Sequence, residues 1–481
     1  MENVLICLIL MLLLVMANVT SRLTYLLPAP IVQISLGAII SFFFPALHIG
    51  FNPELFMLLF IPPLLFSESW RFPKREFILN TKPIILLSIG LVFFTVGGLG
   101  YVVHWFLPNI PLAACFALAA ALSPTDAVAL KSMTANSDMP ERLQHILQGE
   151  ALLNDASGLV SFKFAVAAML TGVFSFVDAT LSLVVVGVGG IVIGIILTYV
   201  FVTLLGCLNR RHDDETTTEN LLLILLPYTA YLAAEQFSMS GILAAVAAGF
   251  AIDKTGFLDK TMVSMRIEGR FVWGMLEVTL NGIIFILLGL YLPNSFKLIA
   301  NTGISLINCF STVCIITILL IVYRFVWICL TFPMKALLNK ANYSKWSMPN
   351  LKIITALSLG GIRGAIALAA ILSLPELMPN KTLFPERDLL ITLVVGVVIF
   401  SLLLSMLLLP WILPSVQKLM SNSPIKEENQ ARIAAARAGI RAIEYKLQSL
   451  LNHLNDEDAT LCMQVGNGLI VSLNRFIASN I

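Results

Sequence analysis

Apolar runs of about 20 residues, each long enough to cross a hydrocarbon core as a helix, recur along most of this chain. Only helices and closed barrels satisfy their backbone polar groups inside a bilayer. The runs are continuous rather than alternating, so they predict helices and not barrel strands. By length they give about thirteen spans, at 3–19, 31–45, 53–69, 83–106, 111–133, 142–171, 180–208, 219–237, 239–252, 269–292, 299–332, 352–374 and 387–413. The division at Ser238 separates the eighth from the ninth. Charged residues make up 12% of the chain, against about 25% in soluble domains. The expected fold class is therefore an all-α polytopic membrane protein, with the lipid bilayer as its surroundings.

Loop charge predicts the orientation. Basic residues cluster in alternate loops, as with Arg71, Lys74, Arg75 and Lys82, or Lys335, Lys340, Lys345 and Lys352. Arg22, Lys131, Arg142, Arg210, Arg211, Lys254, Lys260, Arg266 and Arg270 fall in the same set, whereas the intervening loops carry only Lys297, Lys381 and Arg387. Cytoplasmic loops are the basic ones, so the N-terminus is expected outside and the C-terminus in the cytoplasm; the membrane itself is expected to be a bacterial inner (plasma) membrane. Glu2 and the lack of a basic leader make the first run a true span rather than a cleaved signal.

A net charge of +2 without any basic block points away from nucleic acid. The 7 cysteines have no zinc-like spacing, and no cofactor is expected. Two regions follow: a membrane transport domain at 1–416 and a cytoplasmic helical tail at 417–481. In the tail, Ala436, Ile440, Ile443, Leu447, Leu450 and Leu454 form a short a/d seam, which offers a face to a second tail or to the membrane domain. The tail's partner is left unassigned.

The sixth span carries acids where they are expensive. Glu150, Asn154, Ser157 and Ser161 share one helical face, with Asp155 beside it. An acid at mid-membrane costs about 2.5–3.5 kcal/mol on insertion scales, and such residues face a bundle interior or a water-filled cavity. The fifth span is interrupted by Ser123-Pro124-Thr125-Asp126, where Pro124 lacks a donor and leaves Asp126 at membrane depth. The twelfth is interrupted by Gly360-Gly361-Ile362-Arg363-Gly364. The two breaks stand an odd number of spans apart, the pattern of an inverted repeat with its site where the breaks meet.

Other polar residues in the spans have two readings each. Glu68 is a cavity residue or an interfacial one. Lys163 either snorkels outward or pairs with an acid on another helix, and it is also a candidate cavity residue, as is Ser157. Glu277 and Asn281, at i and i+4, read as a packing or ion-pair couple, and Glu235 as interfacial. Gly190 and Gly194 form a GxxxG, a close helix contact within the chain or between two copies.

Asp126, Asn154, Asp155 and the carbonyl at Thr125 are oxygen ligands, which small hard cations require. The same carboxylates bind protons, so proton and cation compete for one site. If only loaded states cross the membrane, the result is exchange. Glu150 and Arg363, both buried charges, are expected to pair as a brace between the sixth and twelfth spans.

The motifs Ser123-Pro124-Thr125-Asp126, Gly149-Glu150-x-Leu152-Leu153-Asn154-Asp155, Gly361-x-Arg363-Gly364 and Phe60-Ile61-Pro62-Pro63-Leu64-Leu65-Phe66 resemble those of the monovalent cation:proton antiporter family. Its members include the bacterial NhaP-type and animal NHE-type sodium/proton exchangers, and the likeness covers the whole membrane region. It implies a core of two crossed, unwound helices, a separate dimerisation domain in a homodimer, and elevator-like movement of the core in pH homeostasis. It implies an ion at Asp155 with Asp126, Asn154 and Thr125 nearby, and a Glu150–Arg363 ion pair. Asn154 before the aspartate implies electroneutral, one-for-one exchange of Na+ for H+. Ala151 stands where many members have serine, which leaves Na+, Li+ and K+ open, and Glu68 sits one place later than in the archaeal motif. A potassium/proton antiporter is the near alternative. A passive channel would need a carbonyl filter, which is absent. An intramembrane protease with an Asp126/Asp155 dyad is a third reading, set aside because the flanking residues suit ion liganding better. No enzyme activity is expected.

Overall fold

The computed structural model describes residues 2–24, 27–44, 53–134, 139–172, 176–209, 216–255, 263–302, 305–338, 351–379, 381–420, 425–451, 463 and 466–474. Arg210, Arg211, Lys260, Lys340, Lys345 and Leu454 lie outside the described residues, as do 475–481 of the tail. Almost everything described is helical. By length and composition 7 helices among the described residues are able to cross a membrane, and Ala29–Phe43, Leu112–Ala121 and Gly241–Ile252 are shorter apolar helices. Their outward faces carry large apolar side chains such as Leu8, Val188 and Phe310, as lipid contact requires. The protein is an integral membrane protein.

The helices that frame the site are named in chain order. They are α1 (Glu2–Thr24), α2 (Ala29–Phe43), α3 (Pro53–Arg71), α4 (Lys74–Leu79), α5 (Thr81–Ile85) and α6 (Leu91–Phe106). A π-helical turn, Leu86–Gly90, joins α5 to α6. Then come α7 (Leu112–Ala121), α8 (Ala127–Met133), α9 (Glu141–Thr171), α10 (Phe176–Asn209), α11 (Thr216–Gln236) and α12 (Gly241–Lys254). The last are α13 (Val263–Thr302), α14 (Leu306–Leu338), α15 (Leu351–Leu359), α16 (Ala365–Leu372), α17 (Arg387–Met420) and α18 (Ile425–Leu451).

The eighth and ninth runs are separate helices. The chain leaves α11 through Ser238, at φ 57°, and the Met239 amide donates back to the Ala234 carbonyl at 2.8 Å. That is a left-handed helix stop. The GxxxG of α10 is spent within the chain, because Gly190 and Gly194 lie against the backbone of Ser240 and Ala244, at the start of α12.

Two apolar clusters fix α3 and α13 beside the site. One joins Leu13 and Leu14 of α1, Phe60 and Leu64 of α3, and Ile283, Ile284 and Leu287 of α13. The other joins Phe66 of α3 and Trp273 of α13 to α10, α11 and α12, with the two rings 5.0 Å apart.

The chain divides into two compact units, Met1–Leu413 and Pro414–Ile481, three residues before the boundary read from composition. Within the second unit, part of the expected seam turns to the unit's own last described helix. Leu447 lies against Gly466, and Leu473 stands 3.7 Å from the position a Cβ on Gly439 would take.

Candidate ion-binding site

Two broken helices meet at the site. The first stops at α7 because Pro124 cannot continue the hydrogen-bond ladder, and resumes as α8 after Asp126. Asp126 is the N-cap of α8: its Oδ1 accepts from the amides of Val128 at 2.9 Å and Ala129 at 2.8 Å. The second break runs from Gly360 to Gly364, between α15 and α16. The two unwound segments are joined directly, with the Asp126 amide donating to the Ile362 carbonyl at 2.8 Å. Gly364 permits this approach, because a Cβ there would overlap the Asp126 carboxylate.

Carbonyls freed by the first break find a donor in the second. Arg363 Nη1 donates to the Ser123 carbonyl and, at 3.2 Å, to the Pro124 carbonyl. The Arg363 amide donates to Ser401 Oγ at 3.3 Å. The expected Glu150–Arg363 pair is thus replaced by another. Glu150 is gripped through both oxygens by Arg324 of α14, with Nη1 on Oε1 and Nη2 on Oε2 at 2.5 Å. Both side chains are 1% exposed, and Arg324 Nε also donates to the Leu357 carbonyl at 2.8 Å. The reason is planar geometry: a guanidinium meets a carboxylate in two parallel bonds, and Arg324 presents its fork where Arg363 is committed to carbonyls. Gly361 leaves room for it, since a Cβ there would stand 2.8 Å from Arg324 Nη1. A signal for Arg324 existed: it is a lone arginine deep in the eleventh apolar run, which the cost of a buried charge makes a candidate by itself.

Helix α9 carries the remaining polar groups. The Asn154 carboxamide clamps Thr125 from both ends: Nδ2 donates to Thr125 Oγ1 at 2.7 Å, and Oδ1 accepts from the Thr125 amide at 3.4 Å. Ser157, expected in the cavity, instead donates to the Ser88 carbonyl at 2.5 Å, in the π-helical turn whose irregular register frees carbonyls. Lys163 is also outside the cavity: 63% exposed, it pairs with Glu235 of α11 at 3.4 Å. Glu277 pairs with Arg71 of α3 at 2.5 Å, so it is not coupled to Asn281.

A cavity of about 40 Å³ opens between the crossing and α3, and its polar lining is Glu68, Thr125, Asp126, Asp155 and Asn281. Ile61, Leu64 and Ile284 supply apolar wall. Three carboxylates therefore line one space with room for a few waters. Two polar atoms here are buried without a hydrogen-bond partner among the described residues: Asp155 Oδ1 and Asn281 Nδ2. Among the described residues no three His, Cys, Asp or Glu side chains are grouped as a metal cluster. Asp126, Asp155 and Thr125 are brought together as the sequence predicts, and Glu68 joins them.

Residues 8–414 match the family model described as sodium/hydrogen exchanger, transmembrane. The chain belongs to the sodium/hydrogen exchanger family. Within it, the chain is 40% identical over 471 residues to the uncharacterized Na+/H+ exchanger YjcE of Escherichia coli, covering 95% of this chain and 84% of that one. It is 39% identical over 414 residues to the sodium, potassium, lithium and rubidium/H+ antiporter of Bacillus subtilis, covering 85% of this chain and 61% of that one. The chain thus spans about three-fifths of the Bacillus relative's length. The solved sodium proton antiporter MjNhaP1 of Methanocaldococcus jannaschii superposes with a TM-score of 0.63 at 16% identity, covering 86% of this chain and 98% of that one. At that identity the match speaks for the sodium/hydrogen exchanger fold alone.

Proposed function

We propose that this chain exchanges one alkali cation for one proton across a bacterial inner membrane, by competition of the two for Asp155 and Asp126. The observation that carries the reading is Asp155 Oδ1, a buried carboxylate oxygen without a hydrogen-bond partner among the described residues, in a cavity it shares with Asp126 and Glu68. A buried anion of this kind is costly unless something positive joins it. Asn154 and Thr125 hold the unwound segment in place, and Asp126 offers the carboxylate oxygen that does not cap α8. The Glu150–Arg324 pair lies outside that cavity, so its charge is cancelled locally and the transported charge is set by the cavity carboxylates.

Thirteen spans, an inverted repeat, an outside N-terminus, a cytoplasmic tail and a homodimer belong to this reading, which needs no catalytic chemistry or cofactor. Na+ and H+ are the transported ions. Li+ and K+ are a second reading, favoured by the likeness to the Bacillus relative, a sodium, potassium, lithium and rubidium/H+ antiporter. The exchange serves pH homeostasis.

The test is proton flux in proteoliposomes, followed with a pH-sensitive dye after additions of Na+, Li+ or K+. Asp155→Asn is expected to abolish the cation-driven signal while the purified protein keeps its thermal unfolding transition. Full exchange in that variant would remove Asp155 from the mechanism.

A further inference from the structure

We infer that Asn281 is a specificity-determining residue, which supplies a neutral oxygen to the transported cation from the wall of the cavity opposite the crossed helices. The inference rests on the ion site proposed above and adds a ligand to it from α13, a helix outside the two breaks.

Asn281 stands on α13 one turn beyond Glu277, and its carboxamide lines the cavity with Asp155, Asp126 and Glu68. Its Nδ2 is buried and has no hydrogen-bond partner among the described residues. Burying a donor this way is unfavourable, and the position does not need one for packing. The neighbouring wall is Ile61, Leu64, Leu65 and Ile284, against which leucine would lie without penalty. The other atom of this cavity without a partner among the described residues is the acceptor Asp155 Oδ1. An unsatisfied donor and an unsatisfied acceptor therefore line one space without bonding to each other.

A carboxamide meets both needs of an exchanger. Its nitrogen donates to a carboxylate, and a half-turn of the amide, which leaves the side-chain shape almost unchanged, offers the oxygen instead. That oxygen accepts a hydrogen bond from the O–H of a neutral carboxyl group, or ligands a hard cation. Because Asn281 is neutral, it completes either shell without altering the charge that moves. Asn154 is not free to turn in this way, since Thr125 holds both ends of its carboxamide.

The experiment compares the unsubstituted protein with Asn281→Leu, Asn281→Ala and Asp155→Asn in proteoliposomes, titrating Na+, Li+ and K+ separately. Both Asn281 variants are expected to raise the half-maximal Na+ concentration by about tenfold or more, as loss of a supporting metal contact does. Maximal rate is expected to change little, and the differences among the three cations to shrink. Asn281→Leu suits the apolar wall, so it carries the test if the alanine variant folds poorly. Half-maximal concentrations within about twofold of the original for all three cations, with Asp155→Asn inactive, would overturn the role of Asn281 alone. An active Asp155→Asn would overturn the underlying site.

Discussion

Arg324 holds the carboxylate of Glu150 with both terminal nitrogens, at a place where each side chain is 1% exposed. Arg363 lies near them, lining with Arg324 a small cavity of about 10 Å³ together with Ser358 and Ser401. The core thus contains two arginines and one glutamate with different tasks. One arginine neutralises the acid; the other caps the carbonyls that a proline has freed.

Removing Glu150 leaves two buried guanidinium groups close together. Glu150→Ala is expected to destabilise the protein by about 3–5 kcal/mol, the cost of breaking a buried pair. Arg324→Ala is expected to match it. The double variant should lose clearly less than the sum of the two, because neither charge is then stranded. Thermal unfolding in detergent measures this, and additive losses would show that the two residues do not act as a pair.

Arg363→Ala removes hydrogen bonds to Ser123 and Pro124 but strands no carboxylate. The expected loss is about 1–3 kcal/mol, the cost of unsatisfied buried carbonyls, and therefore smaller than for Glu150→Ala. Arg363→Lys keeps the charge but loses the fork. It should recover part of the stability and little of the transport, if the spacing of the crossing matters. Equal losses for Arg363→Ala and Glu150→Ala would restore the pairing expected from sequence.

Much of this was legible in the chain, and the residues explain where reading stopped. Pro124 and the glycines around Arg363 announced both breaks, because each disrupts a helix by its own backbone chemistry. The polar face of α9 was equally plain from 3.6-residue periodicity. Partner choice was not, since Glu150 had two arginines within reach and sequence spacing does not say which guanidinium is already committed. Ser157 was misplaced for a similar reason: its acceptor is the Ser88 carbonyl, and nothing in an apolar run marks where a π-helical turn will free one. Asn281 appeared coupled to Glu277 by spacing, but Arg71 of another helix takes the acid. Cross-helix distances decide such matters, and they arise only from packing.

Gly364→Ala tests the crossing itself. A methyl group there would overlap the Asp126 carboxylate, and in the crossing the Asp126 amide is tied to Ile362. The substitution is expected to leave a folded, membrane-inserted protein with transport reduced by about tenfold or more, since misplacing reacting groups by an ångström is that costly. Normal rates at every Na+ concentration would mean that the carboxylate has room to move, and that its position beside Gly364 is unimportant.

The shared site has a consequence for pH whose sign follows from mass action. A proton on Asp155 or Asp126 excludes the cation, so acidification must raise the cation concentration needed for half-maximal exchange. With one proton displaced per cation, that concentration rises about tenfold for each pH unit on the acid limb, and levels off where the site is already deprotonated. Two protons per cation would give about a hundredfold rise per unit. Maximal rate at saturating cation should change far less, because enough Na+ displaces the proton. Dye-based flux measurements at a series of pH values, each with a full Na+ titration, give both quantities. A half-maximal concentration that stays constant while the maximal rate falls would mean that the proton binds elsewhere. Asp155 and Asp126 would then hold only the metal ion, and coupling would have to come from a second titrating group. Glu68 is a candidate, because it lines the same cavity from α3, so Glu68→Gln would separate the two cases: it should leave the acid rise in half-maximal concentration in place if the aspartates carry the proton, and abolish the acid fall in maximal rate if Glu68 does.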